Sequence, residues 1–478
     1  MPVICTKSVN VHEPTSEIKV NAKKLNISKT SVTVSREAYK AAAIECTSDQ
    51  VATFTFAQQI PVGPAVPEIE FEGEHNDHMD GFYRSLLRHT RQTFPCWDHP
   101  AVKATFSVVS VVPFAMQALS NMPVKEITAV ENDIKTVYFE RLSIMSTYED
   151  DLEITPKTLE YFTKIFGTEY PLPKLDHIVI PDFDMGAMEN WGLITYRTVA
   201  LLYDENTSAT SNKEGVVYTV AHEIAHQWFG NLVTMEWWEH LWLNEGFATW
   251  VGTLAVDHVF PSWGFVINEY QQGLSLDCLR SSHPIEVPVS DPHEIGSICH
   301  PHVDQLADLK KNEYKNASTD DLWSALSEEF GIEVGEFMNT WTRIIGILIL
   351  NVTEDSGIAS VEQRRFLSTN DVTHEEDKTI WRVPLGVHPR PDPIVDHNQT
   401  MKTRILKLKT PQSKDGANFY MINKNFTGVF RASYPPSAVR QLGLAIQEGH
   451  HDLGVTERGS LLAEQASLAT AVLSASWI

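Results

Sequence analysis

A multidomain α+β architecture is what this sequence predicts, and three observations carry the prediction. The chain has 478 residues, more than one compact core usually organises, so two to four domains are expected. Its first third alternates apolar and polar positions and is rich in Val, Ile and Thr, the period of half-buried strands. Beyond that stretch, apolar residues recur at helical spacing, first over 158–166 and again from 436 onward.

Taken in order, segments 17–20, 31–34 and 51–56 read as strands of a β-rich region covering 1–148. A second region, 149–345, opens with the helical pattern at 158–166. The apolar run at 344–350 is too short to span a membrane and reads as a buried strand. It begins a second β-rich region, 346–430, which contains the most linker-like segment, 389–398, with its Pro-Arg-Pro-Asp-Pro. The tail, 431–478, reads as helical, with Leu442, Leu444, Ile446, Leu461, Leu462 and Ala466 as candidate core positions.

Charge narrows the partners. Asp and Glu number 62 against 38 Lys and Arg, a formal net charge of −24. Such a surface repels nucleic acid and anionic membranes. Residues 1–19 contain no run of signal-peptide length and no segment reaches the length of a membrane span. The five cysteines are odd in number and scattered, which suits a reducing compartment. A cytoplasmic protein with no membrane span is therefore expected.

The chemistry concentrates in His222-Glu223-Ile224-Ala225-His226. On a helix, residues four apart share a face, so both imidazoles can address one ion. Eighteen residues separate His226 from Glu245, which can complete a two-His, one-Glu zinc site with a position left for water. Glu223, beside the first ligand, is placed to act as general base. The segment Trp228-Phe229-Gly230 should carry the first helix into a turn. Asn244–Ala248 should open a second helix that presents Glu245 in its first turn, where the helix dipole favours a carboxylate. Upstream lies Gly186-Ala187-Met188-Glu189-Asn190-Trp191-Gly192. Small residues there suit a strand edge that a peptide backbone can approach, and Glu189 can hold a free ammonium group. Read alone, the same segment is more often a turn with a solvated Glu189.

Together, GAMENWG at 186–192 and HEIAHQWFGNLVTMEWWEHLWLNEGFA at 222–248 resemble the zinc aminopeptidases related to aminopeptidase N and puromycin-sensitive aminopeptidase. The chain looks most similar to the cytosolic fungal alanine/arginine aminopeptidases. The resemblance implies His222, His226 and Glu245 as ligands of one Zn2+ per chain, and Glu223 as the general base. It implies that Gly186, Ala187, Met188, Glu189 and Asn190 bind the substrate, with Glu189 anchoring its α-amine. Peptides with a free N-terminus would be the substrates. The implied fold is an N-terminal β-saddle domain (1–148), a thermolysin-like zinc domain (149–345), a small β-sandwich (346–430) and the start of a truncated helical domain (431–478).

The resemblance has gaps. The family segment between Ser85 and Phe94 is shortened to 86–93, and strands after 146–149 are missing. Over 296–323 no Tyr-x-Lys-Gly occurs, so the family's oxyanion-binding tyrosine is absent. Tyr314 belongs to a different family segment, and His300 and His302 read as loop residues. Losing one oxyanion donor typically costs about 10²–10³ in rate. Two readings follow: an aminopeptidase, or a catalytically impaired member that binds zinc or peptides. A third, an endopeptidase, would not need Glu189.

Overall fold

A computed structural model shows a mixed α/β architecture. It describes residues 3–48, 50–73, 93–128, 133–140, 154–181, 183, 185–204, 206–289, 312–387, 400–409, 419–424, 428–450 and 453–471. The sequence landmarks at 81–85, 146–149 and 389–398, and His300 and His302, lie outside them. The helices are α1 (Ile154–Phe166), α2 (Thr198–Leu201), α3 (Thr210–Ala225), α4 (Trp242–Val259), α5 (Phe265–Asp277), α6 (Thr319–Phe330), α7 (Val334–Thr342), α8 (Pro436–Gln447) and α9 (Val455–Thr470). The chain divides into two compact units, Met1–Asp151 with Pro171–Glu223, and Leu152–Tyr170 with Ile224–Ile478. The division falls inside the continuous helix α3.

The first unit opens with β1 (Val3–Thr6), β2 (Val9–Val11), β3 (Thr15–Asn21), β4 (Leu25–Val34), β5 (Glu37–Cys46), β6 (Val51–Ile60) and β7 (Gly63–Gly73). They form one antiparallel sheet in the order β1-β7-β4-β5-β6-β3, with β2 also on β7. The three strands expected from alternation fall within β3, β4 and β6. Their buried members lie two apart: Val32 with Val34 on β4, Phe54 with Phe56 on β6, Ile69 with Phe71 on β7. That is the pleat's own period and gives the sheet one apolar face. Cys96 then bridges to Asn21 through two backbone hydrogen bonds of 2.7 and 3.0 Å. A three-stranded sheet follows, β8 (Val109–Pro113), β10 (Ile134–Phe139) and β9 (Val124–Thr128) in that spatial order. Next come β11 (Asp176–Ile180), β12 (Ala187–Met188) and β13 (Leu193–Arg197). Here β11 runs parallel to β13, and β12 pairs antiparallel on the other side.

In the second unit, α1 begins four residues before the sequence pattern suggested and buries Leu159 and Phe162. Trp228 is fully buried among Phe162, Phe166 and Tyr170, with ring centroids 5.9, 5.4 and 6.1 Å away. Its indole N–H donates to the Thr168 carbonyl at 3.1 Å, so the polar tip of this large core residue is satisfied. Two short strands, β14 (Thr234–Met235) and β15 (Asn316–Ala317), pair in parallel. The run at 344–350 enters β16 (Ile347–Asp355), which pairs with β17 (Ile358–Phe366). With β20 (Ile405–Lys409) and β21 (Phe430–Ser433) they make a sheet ordered β20-β17-β16-β21, beside the pair β18 (Val383–Pro384) and β19 (Thr400–Met401). Its core includes Leu348, Leu350, Val361, Trp381 and Phe430, and Leu442 of α8 packs into it.

The tail is helical as expected, but its buried face differs. Leu442 and Leu461 are buried, whereas Leu444 (50% exposed), Leu462 (73%) and Ala466 point outward. On α9 the buried positions are Glu457, Ser460, Leu461, Glu464 and Leu468. Two carboxylates and a hydroxyl on the inner face hide that face from a reading based on hydrophobicity.

Candidate metal centre

Helix α3 brings the first two candidate ligands together. Val220, Ala221, Ile224 and Ala225 are fully buried, so the helix is locked by its apolar positions. After Ala225 it tightens: Gln227 N–H donates to Ile224 O and Trp228 N–H to Ala225 O, both at 3.0 Å. These i→i+3 bonds are the usual last turn of a helix. The turn then closes through Gly230, whose φ of +123° suits a residue without a Cβ. Thus Trp228-Phe229-Gly230 ends the helix as the sequence suggested. Glu245 lies in the first turn of α4, which starts at Trp242.

The ligand atoms of His222, His226 and Glu245 lie within 4.8 Å of one another. His226 Nδ1 stands 2.9 Å from the Phe229 carbonyl oxygen. A carbonyl only accepts, so Nδ1 carries the proton and Nε2 presents its lone pair. That Nε2 is 3.6 Å from Glu245 Oε2. Two donors on one tetrahedral zinc stand about 3.4 Å apart, given bond lengths near 2.0–2.2 Å. An ion pair would account for the His226–Glu245 approach but leaves the convergence of His222 unexplained. Glu223 is 6% exposed, and a cation among the three neighbours would offset the cost of burying a carboxylate there. Two imidazoles and a carboxylate are the donor set zinc takes, so the residues fit the ion.

Residues that sequence reasoning passed over hold this centre. The start of α4 is tied to α6: Trp242 Nε1 donates to Thr319 Oγ1 at 3.1 Å, and His240 Nδ1 lies 2.9 Å from the same hydroxyl. Helix α6 is capped by a reciprocal Ser318–Asp321 box. The cap pattern Ser-x-x-Asp was visible in the sequence; its link to Trp242 was not. On α3, the Tyr218 ring lies 5.9 Å from the His222 ring, tilted by 53°.

The segment 186–192 forms strand β12 and the turn after it. Met188 pairs with Thr195 and Ala187 with Tyr196, and Arg197 N–H donates to Gly186 O at 2.8 Å. Strand β12 ends its sheet among the described residues. Glu189 and Asn190 follow, both half-buried, and Asn190 Nδ2 donates to Thr195 Oγ1 at 3.1 Å. The turn is pinned by Asn121 Nδ2 and Lys174 Nζ, which donate to the carbonyls of Trp191 and Gly192 at 2.9 Å each. Tyr314 is 44% exposed in the turn before β15, at a φ of +60°.

Comparison with known proteins settles the lineage. The peptidase M1 N-terminal domain matches residues 3–148, and the peptidase family M1 domain matches 150–303. The chain belongs to the peptidase M1 family. Its M1 relatives include Aminopeptidase M1-B of Oryza sativa subsp. japonica, 36% identical over 97% of this chain and 62% of the relative. Aminopeptidase 2 of Candida albicans is 36% identical, over 88% of this chain and 53% of the relative. Glutamyl aminopeptidase of Sus scrofa is 35% identical, over 85% and 51%. The chain thus spans between about half and three fifths of the length of these M1 proteins. The rice alignment runs over 546 positions, more than the 478 residues of this chain, so that relative carries stretches this chain lacks. No helix among the described residues is long and apolar enough to cross a membrane.

Proposed function

We propose that this chain is a zinc-dependent aminopeptidase that releases N-terminal residues from peptides. The observation that carries the reading is the convergence of His222, His226 and Glu245 in a chain of the M1 family. A bound zinc ion supplies a Lewis acid that polarises a carbonyl and makes water a nucleophile at neutral pH. His222, His226 and Glu245 hold that ion. A carboxylate oxygen of Glu223 takes the proton of the attacking water and passes it to the leaving nitrogen. Glu189 binds the substrate's α-ammonium, which restricts cleavage to the first peptide bond. Gly186, Ala187, Met188 and Asn190 line the substrate, whose extended backbone runs along the edge of β12.

Peptides with a free N-terminus are the partners in this reading. The net charge of −24 speaks against nucleic acid, and the odd, scattered cysteines suit a reducing, cytoplasmic setting. The proposed domains are 1–148, 149–345, 346–430 and 431–478: β-saddle, thermolysin-like zinc domain, β-sandwich and a helical region. The names of the relatives favour catalysis over a binding-only role.

The test is release of chromophore from Ala, Leu and Arg amides by the full chain with zinc, beside Glu223→Ala and Glu189→Gln. Turnover that disappears in Glu223→Ala and falls at least tenfold in Glu189→Gln supports the proposal. A folded, zinc-loaded chain with no turnover above the Glu223→Ala control would overturn it. Cleavage of N-terminally blocked peptides, indifferent to Glu189→Gln, would indicate an endopeptidase.

A further inference from the structure

Where the start of α4 meets α6, each hydrogen bond has a fixed direction. The Thr319 backbone N–H points at His240 Nδ1, 3.4 Å away. An N–H only donates, so Nδ1 carries the lone pair and the ring proton sits on Nε2. The Thr319 hydroxyl, 2.9 Å from the same Nδ1, therefore donates to it. The Trp242 indole N–H, which also only donates, gives to Thr319 Oγ1 at 3.1 Å. The bonds thus run from Trp242 through Thr319 to His240. Thr319 is fully buried and the His240 side chain is 14% exposed. Nε2 faces the Glu239 carboxylate at 3.5 Å, which favours the same tautomer.

We propose that His240 is a positioning residue for Glu245, acting through the acceptor at Nδ1. This rests on the metal reading given above. His240 and Trp242 flank Leu241, whose carbonyl accepts the N–H of Asn244 at 3.0 Å and that of Glu245 at 3.1 Å. Both flanking side chains end on Thr319, the first residue of α6. The carbonyl on which the first turn of α4 closes is therefore held from both sides. Losing the acceptor would disturb that hold. The Thr319 N–H is one of the donors a helix leaves unbonded at its start, and without Nδ1 both it and the hydroxyl would keep a buried proton with no acceptor. The segment 240–242 would shift to relieve them, and the Glu245 backbone would shift with it. Glu245 has further contacts that limit this movement. An effect of about tenfold on metal affinity is expected, the low end for groups that orient a ligand.

The experiment compares the full chain with His240→Asn, His240→Phe and Thr319→Val. Asn places its amide oxygen where Nδ1 stands and keeps an acceptor. Phe keeps a ring and removes the acceptor, and Val keeps the shape of Thr and removes the hydroxyl. Zinc affinity is measured by chelator competition, and the cobalt(II)-substituted proteins are compared by visible spectrum. Ring-nitrogen NMR of the zinc-free chain reads the tautomer of His240, assigned from the signals missing in His240→Asn. Expected are a proton on Nε2 and near-unchanged affinity and spectrum in His240→Asn. His240→Phe and Thr319→Val should bind zinc about tenfold more weakly, with altered cobalt spectra. If His240→Phe fails to fold, Thr319→Val beside His240→Asn gives the same comparison. Full-strength zinc binding by His240→Phe or Thr319→Val would overturn the inference, as would an equal loss in His240→Asn or a proton found on Nδ1. An unaltered chain that holds no zinc would overturn the metal reading and the inference with it, whereas zinc held equally by every variant would overturn the inference alone.

Discussion

Gly230→Ala probes how the turn after α3 controls the metal centre. Gly230 sits at φ +123°, a conformation that costs an L-residue about 1–3 kcal/mol. A Cβ there would stand 3.3 Å from Asn244 Nδ2 and 3.4 Å from His226 Nδ1. Both separations are tight, so the neighbours must yield by a few tenths of an ångström. The backbone cannot easily move instead: Gly230 N–H donates to Val233 O at 2.8 Å, and Thr234 Oγ1 donates to Gly230 O at 2.6 Å. The displaced neighbours are one candidate ligand, His226, and the residue before another, Glu245. The substitution should therefore act twice, lowering stability by about 1–3 kcal/mol and zinc affinity about 10–100-fold through the disturbed His226 contact. The chain has two compact units, so the urea midpoint of the zinc-free protein is the appropriate stability readout, beside chelator competition for zinc. A lower midpoint with unchanged affinity would refute the idea that this turn positions His226. No change in either would refute the strain argument as well.

Other perturbations test the frame around the site. Trp228→Ala removes a fully buried indole that packs on three rings; a loss of about 3–5 kcal/mol is expected, and a melting temperature near that of the unaltered protein would contradict the packing described. Gly192→Ala would place a Cβ 2.6 Å from the Asn121 carbonyl at φ +83°, so the 186–192 turn should become sensitive to limited proteolysis; unchanged resistance would count against that close approach. Glu464 is buried, and burial pushes its carboxyl up to about 8 against the pull of Arg431. The native chain then keeps a proton that the unfolded chain releases near 4.5, so this contribution is full below about 4.5 and is lost as pH rises through about 8. Glu464→Gln should flatten the fall in melting temperature between about pH 5 and 8, and an unaltered slope would show that Glu464 does not titrate there.

Much of this was legible because local rules and the fold agree. Alternation in β4 and β6, the i, i+4 spacing of His222 and His226, and the glycine that ends the α3 turn are each local signals with one structural solution. The face of α9 was not legible, since Glu457 and Glu464 are buried there and a hydrophobic period reads them as outward. The tie from Trp242 and His240 to Thr319 spans nearly eighty residues and leaves no periodic trace.

The proposed ligand set also bears on the family tyrosine that the resemblance implies and this sequence lacks. The residues that would hold the ion are local to α3, its terminal turn and the first turn of α4, and the start of α4 is tied to α6 through Thr319. All of these lie within 210–330 and within the described residues. The resemblance places the family's oxyanion-binding tyrosine within 296–323, where this chain has no Tyr-x-Lys-Gly. On the proposed reading, ion binding and transition-state stabilisation depend on different pieces of sequence, and loss of the second would leave the first intact. Since one oxyanion donor typically accounts for about 10²–10³ in rate, the expected phenotype is stoichiometric zinc with a turnover number depressed by about that factor. A KM close to that of full-length relatives should accompany it, because Glu189 and the β12 edge are retained. Steady-state kinetics of the zinc-loaded chain beside a full-length relative would decide this: a deficit in KM rather than kcat would place the defect in substrate binding instead.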